Sequence, residues 1–265
     1  MSAQLQTTRP VLLREDRDHI TTLTLSRPES YNLLTSELIG ALQTAFDDIA
    51  QDESVRVVVL ASTGKGFSAG HDLKEIRALG TQPEIEGLFR RCSRMMLTIP
   101  RLPQPVIARV QGAAAAAGCQ LVAQCDLAVA SESAKFAAPG VTWGFFCSTP
   151  GVAIGRNLAR KHAMEMLLTG APIDARRALE WGLVNRVVPA ERLDEAVLEL
   201  ATQIKSKPRN TVAAGKRAFY EQLEQGLERA YELAGHVIAA SFAHEEGREG
   251  MDAFIEKRPP SWQER

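Results

Sequence analysis

The sequence is short of cysteine, of aromatic residues and of net charge. Its 265 residues include four cysteines, 6% aromatic residues and a formal net charge of −1. The cysteines form no CxxC pair and have no histidine at ligand spacing, so the sequence predicts neither a metal site nor a redox motif. The balanced charge gives no broad positive field, so we expect no nucleic-acid partner and no binding to anionic lipid.

Long apolar runs are absent as well. No window reaches eighteen uninterrupted apolar residues, and the first ten residues, MSAQLQTTRP, lack the apolar core of a signal peptide and have too few arginines for a transit peptide. We therefore expect a cytoplasmic protein with no membrane partner, and an organelle matrix stays open as the alternative. With 45% hydrophobic residues, the chain can bury one large core without disulfides.

Apolar patterning in the first part of the chain predicts alternating strands and helices. Alternating or continuous apolar runs indicate strands, and apolar residues spaced by three and four indicate helices. Continuous runs fit strands that are covered on both faces, so the pattern predicts a mostly parallel α/β sheet with crossover helices. The expected strands are residues 19–25, 55–60, 106–110 and 127–130, and the expected helices are residues 35–49 and 85–97.

After Pro172 the pattern changes to long helical segments. We expect a core of repeated βα turns over residues 1–200 and a helical subdomain over residues 201–265. The helices carry apolar faces on a chain whose core is already complete, and uncovered apolar faces of this size favour association between copies. The expected helices are residues 174–181, 193–206, 208–224 and 227–243.

Two segments place glycine and alanine where a strand ends and a helix begins. GKGFSAGHDLKEI, residues 64–76, enters a helix near Asp72, and QGAAAAAGCQL, residues 111–121, enters a helix near Gly118. Free N–H groups at a helix N-terminus point outward along a favourable dipole. Two such turns at one sheet edge could hold a developing oxyanion between two donors. Alternatively, the small residues permit only close packing of helix on strand.

Four blocks that lie in order between residues 67 and 258 resemble the crotonase (enoyl-CoA hydratase/isomerase) superfamily. The blocks are FSAGHDLKEI, GAAAAAGCQLVAQCDLAVAS, AMEMLLTGAPIDARRALEWGLVNRVV and EGMDAFIEKR. A further segment, FAAPGVTWGFFCSTPGVA, resembles more closely the mitochondrial enoyl-CoA hydratase domain-containing proteins and their bacterial relatives. The blocks spread over nearly the whole chain, so the resemblance is specific.

The resemblance implies a ClpP/crotonase-like α/β fold, with a spiral core of repeated ββα units and a helical C-terminal subdomain that mediates trimerisation. It implies a homotrimer or homohexamer, an acyl-CoA thioester as substrate and no separate cofactor. By the same resemblance, the backbone N–H groups of His71 and Ala117 hold the thioester oxygen. The residues it implies for substrate binding are Ala69, Asp72, Lys74, Phe254 and Lys257.

The sequence departs from the family pattern at both catalytic carboxylates. Hydratases of this superfamily use two glutamates, and at those positions this chain has Gln120 and Gly140. An amide has no useful proton affinity near pH 7, so Gln120 cannot act as a general acid or base. We expect slow hydration of 2-enoyl-CoA, and we expect restoration of both carboxylates to raise it where the backbone still positions them.

Several interpretations stay open at the sequence level. The chain is expected to stabilise a thioester enolate as a hydratase/isomerase-family lyase of fatty-acid metabolism, without efficient hydration. One alternative is an acyl-CoA decarboxylase that uses His71, the single titratable side chain beside the thioester oxygen. Another is a catalytically silent acyl-CoA-binding protein. The aromatic residues Trp143, Phe145 and Phe146 are expected to line the acyl pocket or to pack in the core.

Overall fold

The computed structural model describes residues 10–263, and their side chains up to residue 262. The first nine residues, on which the expectation about a targeting leader largely depends, lie outside the described part. The strands are β1 Leu12–Arg17, β2 Ile20–Leu25, β3 Val57–Ser62, β4 Val106–Val110, β5 Ala114–Ala115, β6 Leu127–Ser131, β7 Lys135–Ala137, β8 Ile173–Asp174 and β9 Arg186–Val188.

Helices follow most of these strands and make up nearly all of the C-terminal third. The helices are α1 Ser36–Gln51, α2 Leu73–Leu79, α3 Gln82–Arg101, α4 Ala117–Gln124, α5 Ser148–Asn157, α6 Arg160–Thr169, α7 Ala175–Trp181, α8 Leu193–Lys205, α9 Arg209–Leu223, α10 Leu227–Ala243 and α11 Glu245–Glu256. Short 3₁₀ turns lie at Pro28–Ser30, Pro139–Trp143, Ala190–Arg192 and Ser261–Gln263.

The strands form two sheets. The larger has the order β1-β2-β3-β4-β6-β9 and is parallel except for the antiparallel pair β1-β2. The smaller has the order β5-β7-β8. Strand β4 is followed by β5 and then α4, and β6 is followed by β7 and then α5, so each of these two repeats places one strand in each sheet before an α-helix follows. This arrangement confirms the expected α/β fold with its ββα repeats.

The central strands of the larger sheet are buried on both faces. On one face Leu23, Leu60 and Ala108 join a core that also contains residues of α1, α3 and α4. On the other face Val57 and Ile107 pack with residues of α8. The continuous apolar runs of β3 and β4 therefore have the explanation expected from the sequence, because a strand with two covered faces needs apolar residues at successive positions.

Strand β1 was not predicted from the sequence. Its residues 14–17 read REDR and are exposed, so the strand lacks the apolar alternation that indicates burial. The turn to β2 explains the pairing, because Asp18 and His19 both have positive φ, 49° and 63°. Two consecutive left-handed residues are typical of the tight turn that closes a β-hairpin. The charged residues suit an edge strand, since they discourage pairing with other chains.

A buried ion pair joins the C-terminal helices to the core. On α9, Lys216 Nζ donates to Asp126 Oδ2 at 2.6 Å and to the Ile99 and Gln104 carbonyl oxygens at 2.9 and 2.8 Å. Tyr220 OH donates to Asp126 Oδ1 at 2.8 Å.

The predicted boundary at residue 200 falls within α8, which covers the sheet, and it stays a prediction. No helix of the described part is long and apolar enough to cross a membrane.

Candidate functional site

The two strand-to-helix turns meet at one place. Ser68 forms an isolated bridge with Ala114, and the Ala115 N–H donates to the Ser68 carbonyl oxygen at 2.9 Å. A Cβ added at Gly118 would lie 2.2 Å from that same oxygen, so only glycine fits there. The small residues therefore do permit close packing, as one of the two interpretations held. The same packing brings the proposed donor turns side by side.

Gly70 lies against the residues that lead into α4. Its φ is +91°, and an added Cβ would lie 3.0 Å from the Ala117 nitrogen. The Leu34 N–H donates to the Gly70 carbonyl oxygen at 2.8 Å. In a trans peptide unit the C=O and N–H groups point in opposite directions, so the His71 N–H points away from Leu34.

The second expected donor, the Ala117 N–H, belongs to the first residue of α4. The carbonyl of Ala116 accepts the N–H of Gln120 at 3.0 Å, which closes the first helical turn. The Ala117 N–H opposes that carbonyl and so points out of the helix N-terminus. Ala116 has φ 49° and ψ −120°, a conformation rare outside glycine. Backbone strain of this kind is often found at functional sites.

The His71 side chain is an uncharged imidazole at neutral pH. Burial lowers its pKa from 6.5 to about 4, and the nearby Glu75 carboxylate opposes this only weakly. The ring lies edge-on to Phe89, with 5.0 Å between centroids, and its buried Nε2 has no hydrogen-bond partner. The Glu75 carboxylate is hydrogen-bonded to another residue, because it accepts the Ser36 N–H at 3.1 Å. A buried nitrogen without a partner marks a position where a polar ligand group would be stabilised.

Gln120 occupies the first position at which a hydratase has a carboxylate. Its side chain is 4% exposed, and its amide Oε1 is buried without a hydrogen-bond partner. The structure therefore provides a fixed polar group one helical turn after Ala117. That group can hydrogen-bond to a ligand or a water molecule, but it cannot take up a proton near pH 7.

Gly140 occupies the second carboxylate position, and the chain folds tightly over it. The Gly140 N–H donates to Cys147 Sγ at 3.3 Å, and the Phe145 N–H donates to the Gly140 carbonyl oxygen at 3.2 Å. A Cβ at Gly140 would lie 2.6 Å from the Phe145 carbonyl oxygen and 2.8 Å from Cys147 Sγ. The second carboxylate is therefore replaced by a closed turn, and space for a side chain is missing along with the acid.

The aromatic residues after Gly140 point to solvent. Trp143 is 70% exposed, and Phe145 and Phe146 are about half exposed. The expectation that they could pack in the core is wrong. The 3₁₀ turn that contains Trp143 is capped by Gly144, which has a φ of 85° and whose N–H donates to the Val141 carbonyl oxygen. Their proposed role in lining an acyl pocket stays a prediction.

The remaining residues of the first turn serve the start of α2. The Asp72 carboxylate accepts the Lys74 N–H at 2.8 Å and so caps the helix. The Lys74 side chain is exposed, and the N–H of the exposed Ala69 donates to the Tyr31 carbonyl oxygen at 3.0 Å. Asp72 thus caps a helix, and the sequence alone did not distinguish this structural role from substrate binding.

Phe254 and Lys257 lie apart from these turns in the single chain. They belong to the end of α11, which packs against α9 and α10. Phe254 is 86% exposed and Lys257 is exposed, so the chain alone does not enclose them in a binding pocket. Their proposed contact with the CoA moiety stays a prediction.

Two amides near the first turn, the buried Asn32 and the partly buried Gln111, were not singled out in the sequence. Asn32 Nδ2 donates to the Thr63 carbonyl oxygen at 2.9 Å, and Gln111 Nε2 donates to the Gly64 and Gly66 carbonyl oxygens at 3.1 and 3.0 Å. The only local signal was the pair Tyr31-Asn32 after Arg27-Pro28, where a strand ends.

Among the residues that the structure describes, no group of three or more acidic, histidine or cysteine side chains could hold a metal ion.

The two-sheet α/β fold, with its two strand-to-helix turns side by side, is that of a crotonase-type protein. Comparison with protein families agrees, because residues 15–265 match the family described as enoyl-CoA hydratase/isomerase. The chain belongs to this family. The match covers both donor turns, the Gly140 turn and the C-terminal helices.

Individual relatives are similar over nearly the full chain. The crystal structure of an enoyl-CoA hydratase from Mycobacterium smegmatis is 51% identical with a TM-score of 0.94, covering 96% of this chain and 99% of that one. The human enoyl Coenzyme A hydratase domain-containing protein 3 is 43% identical with a TM-score of 0.92, covering 96% and 100%. The mouse enoyl-CoA hydratase domain-containing protein 3, mitochondrial, is 44% identical over 93% of this chain and 82% of its own length.

Proposed function

We propose that this protein binds an acyl-CoA thioester and stabilises its enolate with the His71 and Ala117 N–H groups, and that it is a poor hydratase. The approach of Gly70 to the Ala117 nitrogen carries this proposal. Preorganised donors aimed at a developing negative charge are usually the largest single contribution to catalysis. Enolates form when a thioester loses a proton or a carboxylate at the α-carbon, so one donor pair serves several reactions.

The polar groups around the turns support a reaction without the hydratase pair. Addition of water to an enoyl thioester requires a base to activate the water and an acid to protonate the α-carbon. Gln120 can supply neither, and the turn over Gly140 leaves no space for a second acid. These two positions support a proton-transfer chemistry that differs from that of a two-glutamate hydratase.

A second candidate is decarboxylation assisted by His71. The observation that favours it is the buried Nε2 without a partner, on a residue whose N–H is one of the two proposed donors. Loss of carbon dioxide produces the enolate directly, so no base is needed at the α-carbon. Because burial lowers the pKa of His71 to about 4, the imidazole is neutral at pH 7 and provides a hydrogen bond rather than a positive charge. A silent acyl-CoA-binding protein is the outcome when every ester binds and none reacts.

A panel of CoA esters tests these candidates. Purified protein is incubated with enoyl-, hydroxyacyl- and malonyl-type CoA esters, and the products are followed by mass spectrometry. Turnover of malonyl-type esters alone would identify a decarboxylase, and binding without turnover of any ester would identify a silent protein. Rapid hydration of enoyl esters would contradict the proposal.

A pair of glycine variants tests the donor geometry itself. Gly70 and Gly80 both have positive φ, +91° and +77°, so alanine is strained at either position. Only at Gly70 does the new Cβ crowd the Ala117 nitrogen, since the nearest atom at Gly80 lies 4.0 Å away. We expect Gly70→Ala to weaken butyryl-CoA binding in calorimetry by on the order of tenfold or more, and Gly80→Ala to bind like the parent. Equal binding by the two variants would refute the assignment.

Assembly and location follow the same reasoning. The C-terminal helices expose large apolar side chains, among them Leu227, Tyr231 and Phe254, each more than 70% exposed. Contact between copies of the chain would cover such residues, which supports the proposed homotrimer or homohexamer.

We propose a cytoplasmic or organelle-matrix location. The mitochondrial names of the vertebrate relatives are compatible with the second of these.

A further inference from the structure

We propose that Asn32 is a positioning residue that holds the His71 N–H in place for the thioester oxygen without touching the substrate. This inference rests on the proposed function, because it concerns the same pair of donors. Asn32 lies 39 positions before His71, on the short connection between β2 and α1. The inference starts from what its side chain and its backbone contact.

The Asn32 side chain holds the loop that leads into the first turn. It is 0% exposed, and its Nδ2 donates to the Thr63 carbonyl oxygen at 2.9 Å, with longer contacts to Phe67 and Gly66 at 3.2 and 3.3 Å. Its Oδ1 accepts the Arg27 N–H at 2.9 Å. One amide therefore contacts carbonyl groups at both ends of the loop over residues 63–67, which lies outside the strands of both sheets.

The backbone beside Asn32 continues this contact toward His71. Tyr31 and Asn32 both have positive φ, 52° and 51°, which turns their carbonyl groups to the loop. The Tyr31 carbonyl oxygen accepts the Ala69 N–H at 3.0 Å, and the Asn32 carbonyl oxygen accepts the Ser68 hydroxyl at 2.8 Å. The Ser68 Oγ in turn accepts the Gly70 N–H at 3.3 Å. Contacts from this short connection thus reach Ser68 and Ala69 directly and, through Ser68, Gly70, the residue before His71.

Loss of the Asn32 amide would remove the side-chain donor to the Thr63 and Phe67 carbonyl oxygens, whereas the Gly66 carbonyl oxygen would keep its contact with Gln111 Nε2. A buried polar group without a partner is unfavourable, so the loop would shift to reach water or another donor. The turn at Gly70 would shift with it, because the two are joined through Ser68. Catalytic donors act by being fixed before the charge develops, so a small displacement weakens their effect on the thioester carbonyl more than it weakens binding of the CoA moiety.

The test measures polarisation of the bound carbonyl separately from binding. The probe is butyryl-CoA with ¹³C at the thioester carbonyl, whose infrared stretch moves to lower wavenumber when two N–H groups donate to it. Calorimetry with butyryl-CoA and with free CoA, which has no carbonyl at this position, gives the two affinities. The variants are Asn32→Ala and Asn32→Asp. The control is Gln43→Ala, which removes an amide that contacts Asp47 and Thr98 at 2.8 and 3.1 Å, away from the turns.

We expect the parent and Gln43→Ala to show the same carbonyl shift. Asn32→Ala should lose most of it and bind butyryl-CoA on the order of tenfold more weakly, with CoA affinity changed by less than about twofold. A folded Asn32→Ala with the full carbonyl shift would overturn the inference. Equal losses for butyryl-CoA and CoA would also overturn it, because a purely structural role predicts that result.

Ser68→Ala provides a second route that does not depend on the Asn32 variants. It removes the hydroxyl that joins the Asn32 carbonyl oxygen to the Gly70 N–H and leaves the Asn32 amide in place. We expect a partial loss of the carbonyl shift. If the Asn32 variants do not fold, an unchanged shift in Ser68→Ala overturns the inference. A parent that shows no shift overturns the proposed function itself, so the two failures are distinguishable.

Discussion

A side chain at position 140 should fail to restore hydratase chemistry. Gly140→Glu combined with Gln120→Glu would return both carboxylates, and from the sequence alone we expected a gain in hydration. The structure reverses this expectation. The new Cβ would lie 2.6 Å from the Phe145 carbonyl oxygen, 2.8 Å from Cys147 Sγ and 3.0 Å from Phe145 Cδ2. The nearest atom belongs to the backbone, so truncation of a neighbouring side chain cannot remove the clash.

The cost can be worked from Gly140→Ala, the smallest change at this position. Overpacking of a closed site costs about 1–3 kcal/mol of unfolding free energy. For a chain of this size each kcal/mol lowers Tm by about 2–4 °C, so we expect a decrease of roughly 2–12 °C. Glutamate adds four more heavy atoms and a charge to the same space. The double variant should therefore lose more stability than Gly140→Ala and gain no hydration of crotonyl-CoA.

Thermal unfolding and steady-state kinetics on the same preparations check this prediction. Gly155→Ala is the matched control, because Gly155 is exposed on α5 and has no atom within 4 Å of an added Cβ. We expect the control to be neutral or to gain about 0.4–1 kcal/mol. A double variant that unfolds at the parent temperature and hydrates crotonyl-CoA faster would refute the reasoning. It would show that the 140–147 turn opens at little cost.

Four further predictions follow from the same structure. Hydration of crotonyl-CoA by the parent should be slower than in a two-glutamate relative by at least about two orders of magnitude, and comparable rates would contradict the assignment. The pKa of His71 is about 4 in the fold and 6.5 in the unfolded chain, so the unfolded state takes up the proton at higher pH. The free energy of unfolding, measured with urea, should therefore decrease as the pH falls from about 6.5 to 4. The decrease should be smaller in His71→Gln. Lys216→Met should lower the unfolding free energy by about 3–5 kcal/mol, and Arg176→Met, which removes an exposed pair, by less than about 1 kcal/mol; equal effects would contradict the buried role. Light scattering at micromolar concentration should give a trimer or hexamer, and a monomer would contradict the proposed assembly.

Local patterns in the sequence were sufficient for most elements that build the spiral. The helix expected over residues 35–49 is Ser36–Gln51, and the strand expected over 106–110 is Val106–Val110. The starts of α2 and α4 were expected near Asp72 and Gly118 and lie one residue from each. These features depend on side-chain periodicity and on capping within a few neighbouring residues, so the sequence displays them directly.

The surroundings of the second carboxylate position could not be predicted in this way. The sequence shows that Gly140 lacks an acid, but it does not show that Phe145 and Cys147 fill the space. That depends on the conformation of the 140–147 turn, in which Trp143 is exposed. Apolar character indicated burial for Trp143, and the loop conformation decided otherwise, because a short irregular segment has no periodicity from which its exposed side can be derived.

The sequence by itself therefore determined the alternation of strands and helices, the family resemblance and the missing carboxylates. Only the tertiary structure decided that Gly70 lies against the Ala117 nitrogen and that Asn32 holds the intervening loop. The Asn32 amide reaches a carbonyl 35 residues away, and the two donor turns lie 46 positions apart. The physical reason is that such contacts require the sheet to bring the ends of different strands to one edge. Local periodicity carries no information about that placement.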